Sequence, residues 1–222
     1  MRAPLSIVIP TLNAAAELPE TAEALLAGAT SGLVRELVIS DGGSTDETLQ
    51  AAKELGAVVV TGPPGRGGQL ARGVAASSGD WVLLLHADTH LAEGWETVVH
   101  GHMNQHAEKA GWFRLRFRAR GLAPRIVAGG ANWRARFLQL PYGDQGLLVS
   151  RAVLKEAGGV PDVPLMEDVL LARALKGQLR ELACDALTSP ARYVRDGWFR
   201  RTLGNLSTLA RFTLGASPES LK

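Results

Sequence analysis

The chain has 222 residues, 46% of them hydrophobic and 21% charged, with a formal net charge of +2. That balance suits one folded domain with a sizeable core and excludes a disordered or low-complexity chain. Its lone cysteine, Cys184, excludes an internal disulfide, and no apolar run approaches the roughly 18 residues that a membrane span needs.

In chain order, strands and helices alternate. Leu5–Pro10 is a buried-type strand, and Pro10 also interrupts the N-terminal apolar run too early for a signal peptide, so a cytoplasmic protein is expected. Leu18–Ala27 has helical spacing, with Pro19 near its start and Gly28 beyond its end. Leu33–Ser40 is a second strand. After it, Ser44 and Glu47 fit a capping box that opens a helix ending at Gly56. Ala57–Thr61 is a third strand, and the loop GPPGRGG leads into a helix over Leu70–Ala76. Strands separated by helices at this spacing predict βαβ units and a mostly parallel sheet.

The fourth strand, Trp81–Leu85, is a continuous apolar run of the kind buried on both faces. It ends in His86-Ala87-Asp88-Thr89-His90, and extended alternation would put His86, Asp88 and His90 on one side. Ligands of open α/β sheets bind beyond such carboxyl ends. A carboxylate with imidazoles there suits Mn²⁺, Mg²⁺ or Zn²⁺, although a polar turn capped by Asp88 fits the same residues.

Further on, Gly94–His106 reads as a helix whose histidines, His100, His102 and His106, face solvent, since no H-E-x-x-H pattern accompanies them. Phe113–Phe117 alternates apolar residues with Arg114, Arg116 and Arg118, a half-buried strand with an arginine face. Leu122–Leu140 is a helix, YGDQGLLVS a turn and strand, and Glu167–Lys176 a helix with acids at its start and bases near its end. Trp198–Leu214 is a last amphipathic helix. Residues 1–110 hold six Lys/Arg against thirteen Asp/Glu, and residues 111–222 eighteen against nine, so the halves carry −7 and +9. An acidic half beside an arginine-rich half fits a metal-bound phosphate substrate, or a merely solvated basic face.

GPPGRGGQ lacks the lysine and Ser/Thr of a P-loop, no G-x-G-x-x-G follows a strand, and neither a G-x-S-x-G elbow nor a zinc cysteine pair is present. Nothing interleaves aromatic and basic residues strongly enough to suggest nucleic acid. No repeat or linker divides the chain, so residues 1–222 are expected to form one domain with halves at 1–110 and 111–222.

IVIPTLN, ELVISDGGSTDET, GRGGQLARGVAASSGDWVLLLHADT and MEDVLLARALK, in that order, resemble the family-2 glycosyltransferases of GT-A fold over about residues 5–180. YGDQG, PLMEDV, TSPARY and RFTLGASPESL resemble more narrowly the bacterial subgroup associated with radical-SAM/selenodomain proteins. The resemblance implies a Rossmann-like nucleotide-binding fold with a mixed, mostly parallel central sheet flanked by helices. The first half would bind nucleotide-sugar and the second half the acceptor. It also implies an inverting transfer of a sugar from a nucleotide-diphosphate donor, a UDP-sugar in the first instance, with a divalent cation, Mn or Mg.

By that resemblance Pro10, Thr11 and Asn13 meet base and ribose, Asp41 hydrogen-bonds the base, and Arg66 approaches the donor. Asp88 is the metal ligand. His86 stands where the family has a first aspartate, a position that reaches ribose or a metal-bound water. Asp168 matches the catalytic base, with Glu167 beside it in the catalytic pair to tune or orient it, while Asp144 and Gln145 are placed to contact the acceptor. Arg192, between Ser189 and Tyr193, is the cation expected near the diphosphate. Trp198, Arg200 and Arg201 on the last helix could face an acidic membrane surface, making the protein peripheral to the inner membrane. Two other readings remain: a nucleotidyltransferase acting on a sugar phosphate, and a catalytically silent sugar-nucleotide binding module.

Overall fold

The computed structural model describes residues 3–221. The apolar run LSIVIPT forms β1 (Leu5–Thr11), which is buried almost throughout because it sits mid-sheet. It runs parallel to β2 (Val34–Asp41) on one side and β4 (Trp81–Leu84) on the other, and β3 (Val58–Thr61) extends the parallel set at the edge. Beyond β4 the direction changes. β7 (Leu147–Ser150) is antiparallel to β4 and to β6 (Ala110–Phe117), β6 is parallel to β8 (Leu179–Thr188), and β5 (Thr89–Leu91) closes the far edge antiparallel to β8. The result is one eight-stranded sheet of order β3-β2-β1-β4-β7-β6-β8-β5, mixed and mostly parallel as expected.

Both faces are covered. Ile7, Ile9, Ile39 and Leu83 pack with Leu18, Trp95 and Val99, whereas Val8, Val38, Val82 and Leu84 pack with Leu70, Leu154 and Leu171. The period-two alternation of β1 thus feeds both layers. Helices α1 (Leu18–Glu23), α2 (Leu26–Thr30), α3 (Thr48–Glu54), α4 (Arg66–Ala76) and α5 (Trp95–Gln105) belong to the first half of the chain. The second half adds α6 (Leu122–Leu138), α7 (Arg151–Glu156), α8 (Glu167–Ala174), α9 (Ala191–Asp196) and α10 (Trp198–Thr213). Among the described residues no helix is long and apolar enough to cross a membrane.

Several expectations are corrected. The helix over Leu18–Ala27 is two short ones, because the Ala24 carbonyl accepts the Trp95 indole N–H at 3.1 Å and the Gly28 amide turns to Leu25 instead. Ser44 caps nothing: α3 begins at Thr48, whose amide donates to Asp46. The strand through Trp81–Leu85 ends at Leu84, and the Thr89 amide turns back to the His86 carbonyl. His90 therefore leaves the side shared by His86 and Asp88 and meets Arg118 and Glu20. His102 is buried against Trp81 rather than solvent-facing, and its Nε2 pairs with the Lys109 carbonyl. The arginine face of β6 is answered by Asp185, which receives both Arg114 and Arg116.

Candidate active site

Two loops meet where β1 and β2 end. Asp41 is fully buried, and its carboxylate accepts the Thr11 hydroxyl at 3.0 Å, the Gly43 and Ser44 amides at 2.8 Å each, and the Ser44 hydroxyl. Those donors match the roughly four lone-pair sites of a carboxylate. Burial alone would raise its pKa, yet the hydrogen bonds from Ser44, Gly43 and Thr11 outweigh burial and hold it below the usual carboxylate range. Asn13, left-handed at φ 52°, ties the loops from the other side through its amide to Ser44 and its side-chain oxygen to Thr45. Gln69 on α4 is buried and donates to the Thr11 and Ser40 carbonyls.

The carboxyl end of β4 opens differently. His86 and Asp88 line a cleft of about 670 Å³, together with Arg66 at the start of α4, Asp144 in the turn before β7, Asp168 at the start of α8, and Ser189 and Arg192 after β8. The Asp168 carboxylate is aimed by two amides, Gly143 at 3.0 Å and Val169 at 2.8 Å. Met166, just before it, holds a left-handed φ of 67° while buried, a strained conformation of the kind found at functional sites. Gly143 packs directly on the imidazole, for a Cβ there would come within 2.5 Å of His86 Nε2.

Several polar atoms in and behind this cleft are buried and have no hydrogen-bond partner among the described residues: His86 Nε2, Asp144 Oδ1 and both Glu167 oxygens. Burial, with Arg66 nearby, lowers the His86 pKa to about 4, so the ring is neutral at neutral pH. Burial raises Asp144 to about 6, with Arg134 pulling it down and Asp168 and Asp88 pushing it up. Burial and then Asp168 raise Glu167 to about 7, while Arg66 Nε lies 3.4 Å from Glu167 Oε1.

Oxygen donors from Asp88 and Asp144, with an orphaned atom on the latter, fit a hard divalent cation. Among the described residues no group of three or more His, Cys, Asp or Glu could hold one alone. Such a set suits a cation that arrives with a diphosphate and is completed by its oxygens.

Of the predicted site residues, Arg66, His86, Asp88, Asp144, Asp168 and Arg192 share the cleft. Pro10, Thr11, Asn13 and Asp41 do not line it, and each Asp41 oxygen already accepts two hydrogen bonds from the chain. Gln145 is also misplaced by the sequence reading. It is fully buried, bonding the Tyr142 amide, the Phe113 carbonyl and Asn132, so it shapes the turn and does not face an acceptor. Glu167 lies behind the large cleft, against a small apolar pocket of about 40 Å³ lined by Leu70, Leu84 and Leu171. Residues the sequence reading missed include Gln69, Gly143 and Arg134, whose guanidinium stacks 3.4 Å over the Tyr142 ring. Only Gly143 had a local signal, a glycine pair bracketing the turn in YGDQG.

The sequence profile of Glycosyl transferase family 2 matches residues 6–141. A PGL/p-HBAD biosynthesis glycosyltransferase of Mycobacterium tuberculosis is 44% identical over 101 residues, covering 42% of this chain and 39% of that protein. The glucosyl-3-phosphoglycerate synthase of the same organism is 37% identical over 93 residues, covering 38% of this chain and 28% of its own length. These matches span well under two thirds of either relative. Among solved structures, that synthase with Mn²⁺, uridine-diphosphate and glucosyl-3-phosphoglycerate superposes with a TM-score of 0.60 at 25% identity, covering 91% of this chain and 78% of that one. Staphylococcus aureus TarS 1-349 with UDP-GlcNAc gives a TM-score of 0.64 at 17% identity, covering 84% and 58%. The fold is shared with both.

Proposed function

The chain belongs to glycosyl transferase family 2, and from that premise we propose that its cleft transfers a sugar from a UDP-sugar to an acceptor hydroxyl with inversion at the anomeric carbon. The observation that carries this reading is that Asp88 and Asp168 open onto one cleft, beside His86 and Arg66. Asp168, Asp144 and Arg192 lie outside the family match at residues 6–141, so their roles rest on geometry and on the resemblance of MEDV.

Asp168 is the base. With one oxygen bonded to the Gly143 amide and the other to that of Val169, its remaining lone pairs are fixed in direction. It takes the proton of the acceptor hydroxyl as that oxygen bonds the anomeric carbon and the bond to the diphosphate oxygen breaks. Arg66 and Arg192 stand in the cleft as cations for the departing diphosphate. Asp88, and Asp144 when ionised, would hold a divalent cation, which when bound supplies further charge neutralisation to the leaving group. His86, neutral and without a partner on Nε2, is a hydrogen-bonding group for ribose or phosphate. Below about pH 6 Asp144 is protonated and can donate a hydrogen bond to an acceptor oxygen.

The UDP and Mn²⁺ in the synthase structure and the UDP-GlcNAc in TarS support the donor and the cation. The acceptor is unassigned. We place the nucleotide-sugar half at residues 1–110 and the acceptor half at 111–222 of one domain. The radical-SAM/selenodomain-associated subgroup and a cytoplasmic location remain the finer reading. The test is thermal stabilisation by a panel of nucleotide sugars with and without Mn²⁺. A UDP-sugar at about a hundred times its Kd should stabilise the protein by about 2.7 kcal/mol. Asp88→Ala should abolish the Mn²⁺-dependent part. A panel without any stabilising member, or an unchanged Asp88→Ala response, would overturn the assignment.

A further inference from the structure

Helix α6 is apolar on two opposite sides, and only one of them is packed. Pro124, Ala128 and Ala135 are buried toward the sheet. Leu122, Ile126, Trp133 and Phe137, at i, i+4, i+11 and i+15, form a stripe on the other side, and Leu122 is 73% exposed. A Cβ built on Gly129 or Gly130, in the middle of that stripe, meets nothing within 4 Å. The neighbouring α10 repeats the pattern with Phe199, Leu203 and Leu206, of which Phe199 is 77% exposed. The two helices are joined through one small cluster around Leu115 and Phe117, to which α6 gives Val127, Ala128 and Ala131 and α10 gives Trp198. A helix that is apolar on both faces is normally buried on both, so this surface wants an occupant.

Charge selects it. From Lys109 to Gly143 the chain holds seven arginines and no acidic residue, and from Ser189 to Gly215 five arginines and one acid, Asp196. That acid already pairs with Arg195 and Arg201. Arg114 and Arg116 pair with Asp185, Arg118 with Glu20 and Arg136 with Glu181, whereas Arg120 and Arg125, at the start of α6, have no carboxylate partner among the described residues. A second copy of this chain, docked face to face, would bring the unpaired arginines, Arg120 and Arg125 among them, against one another with no free carboxylate in either segment to receive them. We propose that α6 and α10 lie on an anionic phospholipid bilayer, with the aromatic and aliphatic stripes entering the acyl boundary and arginines such as Arg125 meeting the headgroups. Arg201, Gly204 and Thr208 line the cleft from the side of α10 opposite Phe199, Leu203 and Leu206, so the helix stands between the cleft and that lipid surface. The surface involves neither Asp88 nor Asp168, so it stands or falls separately from the proposed reaction.

The experiment is co-sedimentation of the full chain with vesicles of phosphatidylcholine alone and of phosphatidylcholine mixed with phosphatidylglycerol. The protein should pellet with the mixed vesicles, stay in solution with phosphatidylcholine alone, and be released by high salt. The double variant Trp133→Ser/Phe137→Ser should lower its partition into mixed vesicles by roughly tenfold through lost apolar area. Its circular dichroism and melting should match the parent, since both side chains are exposed. Quenching of tryptophan fluorescence by brominated lipid should fall in Trp133→Phe. No pelleting, equal pelleting with neutral and anionic vesicles, or undiminished pelleting of the double variant would overturn the proposal. So would a dimer in sedimentation that the double variant makes monomeric, because that assigns the stripe to a second copy.

Discussion

The ends of β1 and β2 and the end of β4 lie side by side in the same sheet, yet they treat their polar groups in opposite ways. Around Asp41 every carboxylate lone pair is answered by the chain itself, through Thr11, Gly43 and Ser44, and Gln69 locks the carbonyls beneath. Around His86, Asp144 and Glu167 buried nitrogen and oxygen atoms have no hydrogen-bond partner among the described residues, and Glu167 has only the Arg66 ion pair at 3.4 Å. Unsatisfied buried polar atoms cost about 1–3 kcal/mol each, and a fold tolerates them where a ligand completes them. The first region is thus satisfied by the chain itself and the second leaves polar atoms for a ligand to complete, although both present an aspartate at a strand end.

The sharpest break between the two regions should come from Asp168→Asn. If Asp168 is the proton acceptor, transfer falls by roughly 10²–10⁴-fold while donor affinity and melting temperature are kept. Retained turnover would remove the base. Next in size is Asp41→Ala, which leaves the Gly43 and Ser44 amides without acceptors and should cost about 3 kcal/mol in urea unfolding. Because the Asp41 pKa is lowered by folding, its contribution is complete above roughly pH 4 and fades as pH falls further. A variant that kept its stability and lost only nucleotide affinity would return Asp41 to a base-binding role.

The contrast also marks what could be read from sequence. The parallel core was legible because LSIVIP, LVRELVIS and WVLLL are apolar runs of strand length, and the cleft residues were legible because HADT and MEDV stand at element ends. Whether a carboxylate is saturated was not legible, since Asp41 and Asp88 carry the same local signal and differ only in which amides turn toward them. β8 escaped as well. Its partner β6 has a register shift between Phe113 and Arg114, so the alternation in LRELACDALT slips phase and matches neither template. The direction of the Glu167 side chain was not legible for a related reason: adjacent acids at a helix start point in different directions, and here one reaches the cleft and the other an apolar pocket.

Glu167 gives a prediction of opposite sign to Asp41. Folding raises its pKa to about 7, so the folded chain holds this proton more tightly than the unfolded one. Its contribution to stability is thus greatest below about pH 4.5 and is lost as pH rises through about 7. Glu167→Gln, which keeps the shape without the charge, should raise stability at pH 8 by on the order of 1–2 kcal/mol and flatten that part of the profile. Urea unfolding across the pH range distinguishes this from a loss at all pH values, which would make the Arg66 ion pair the dominant effect.

The smallest effect separates shape from charge within the open region. Gly143 does not need glycine for its backbone, because it is not among the residues with positive φ; it needs glycine because His86 occupies the space of a Cβ. Gly143→Ala should swing the imidazole aside while leaving the Gly143 amide free to hold Asp168, weakening donor binding by about fivefold, near 1 kcal/mol, with little change in global stability. In a double-mutant cycle, His86→Ala should absorb that loss, since the alanine methyl would then have nothing to displace. The loss should also be flat between pH 5.5 and 8, because the buried ring, with its pKa near 4, carries no charge in that window. A step near pH 6.5 in the ratio of donor affinities between Gly143→Ala and the parent, in which the titration of Asp144 cancels, would mean that His86 titrates like an exposed imidazole. Its orphaned nitrogen would then be a consequence of charge repulsion from Arg66 and not of a cleft shaped to be filled.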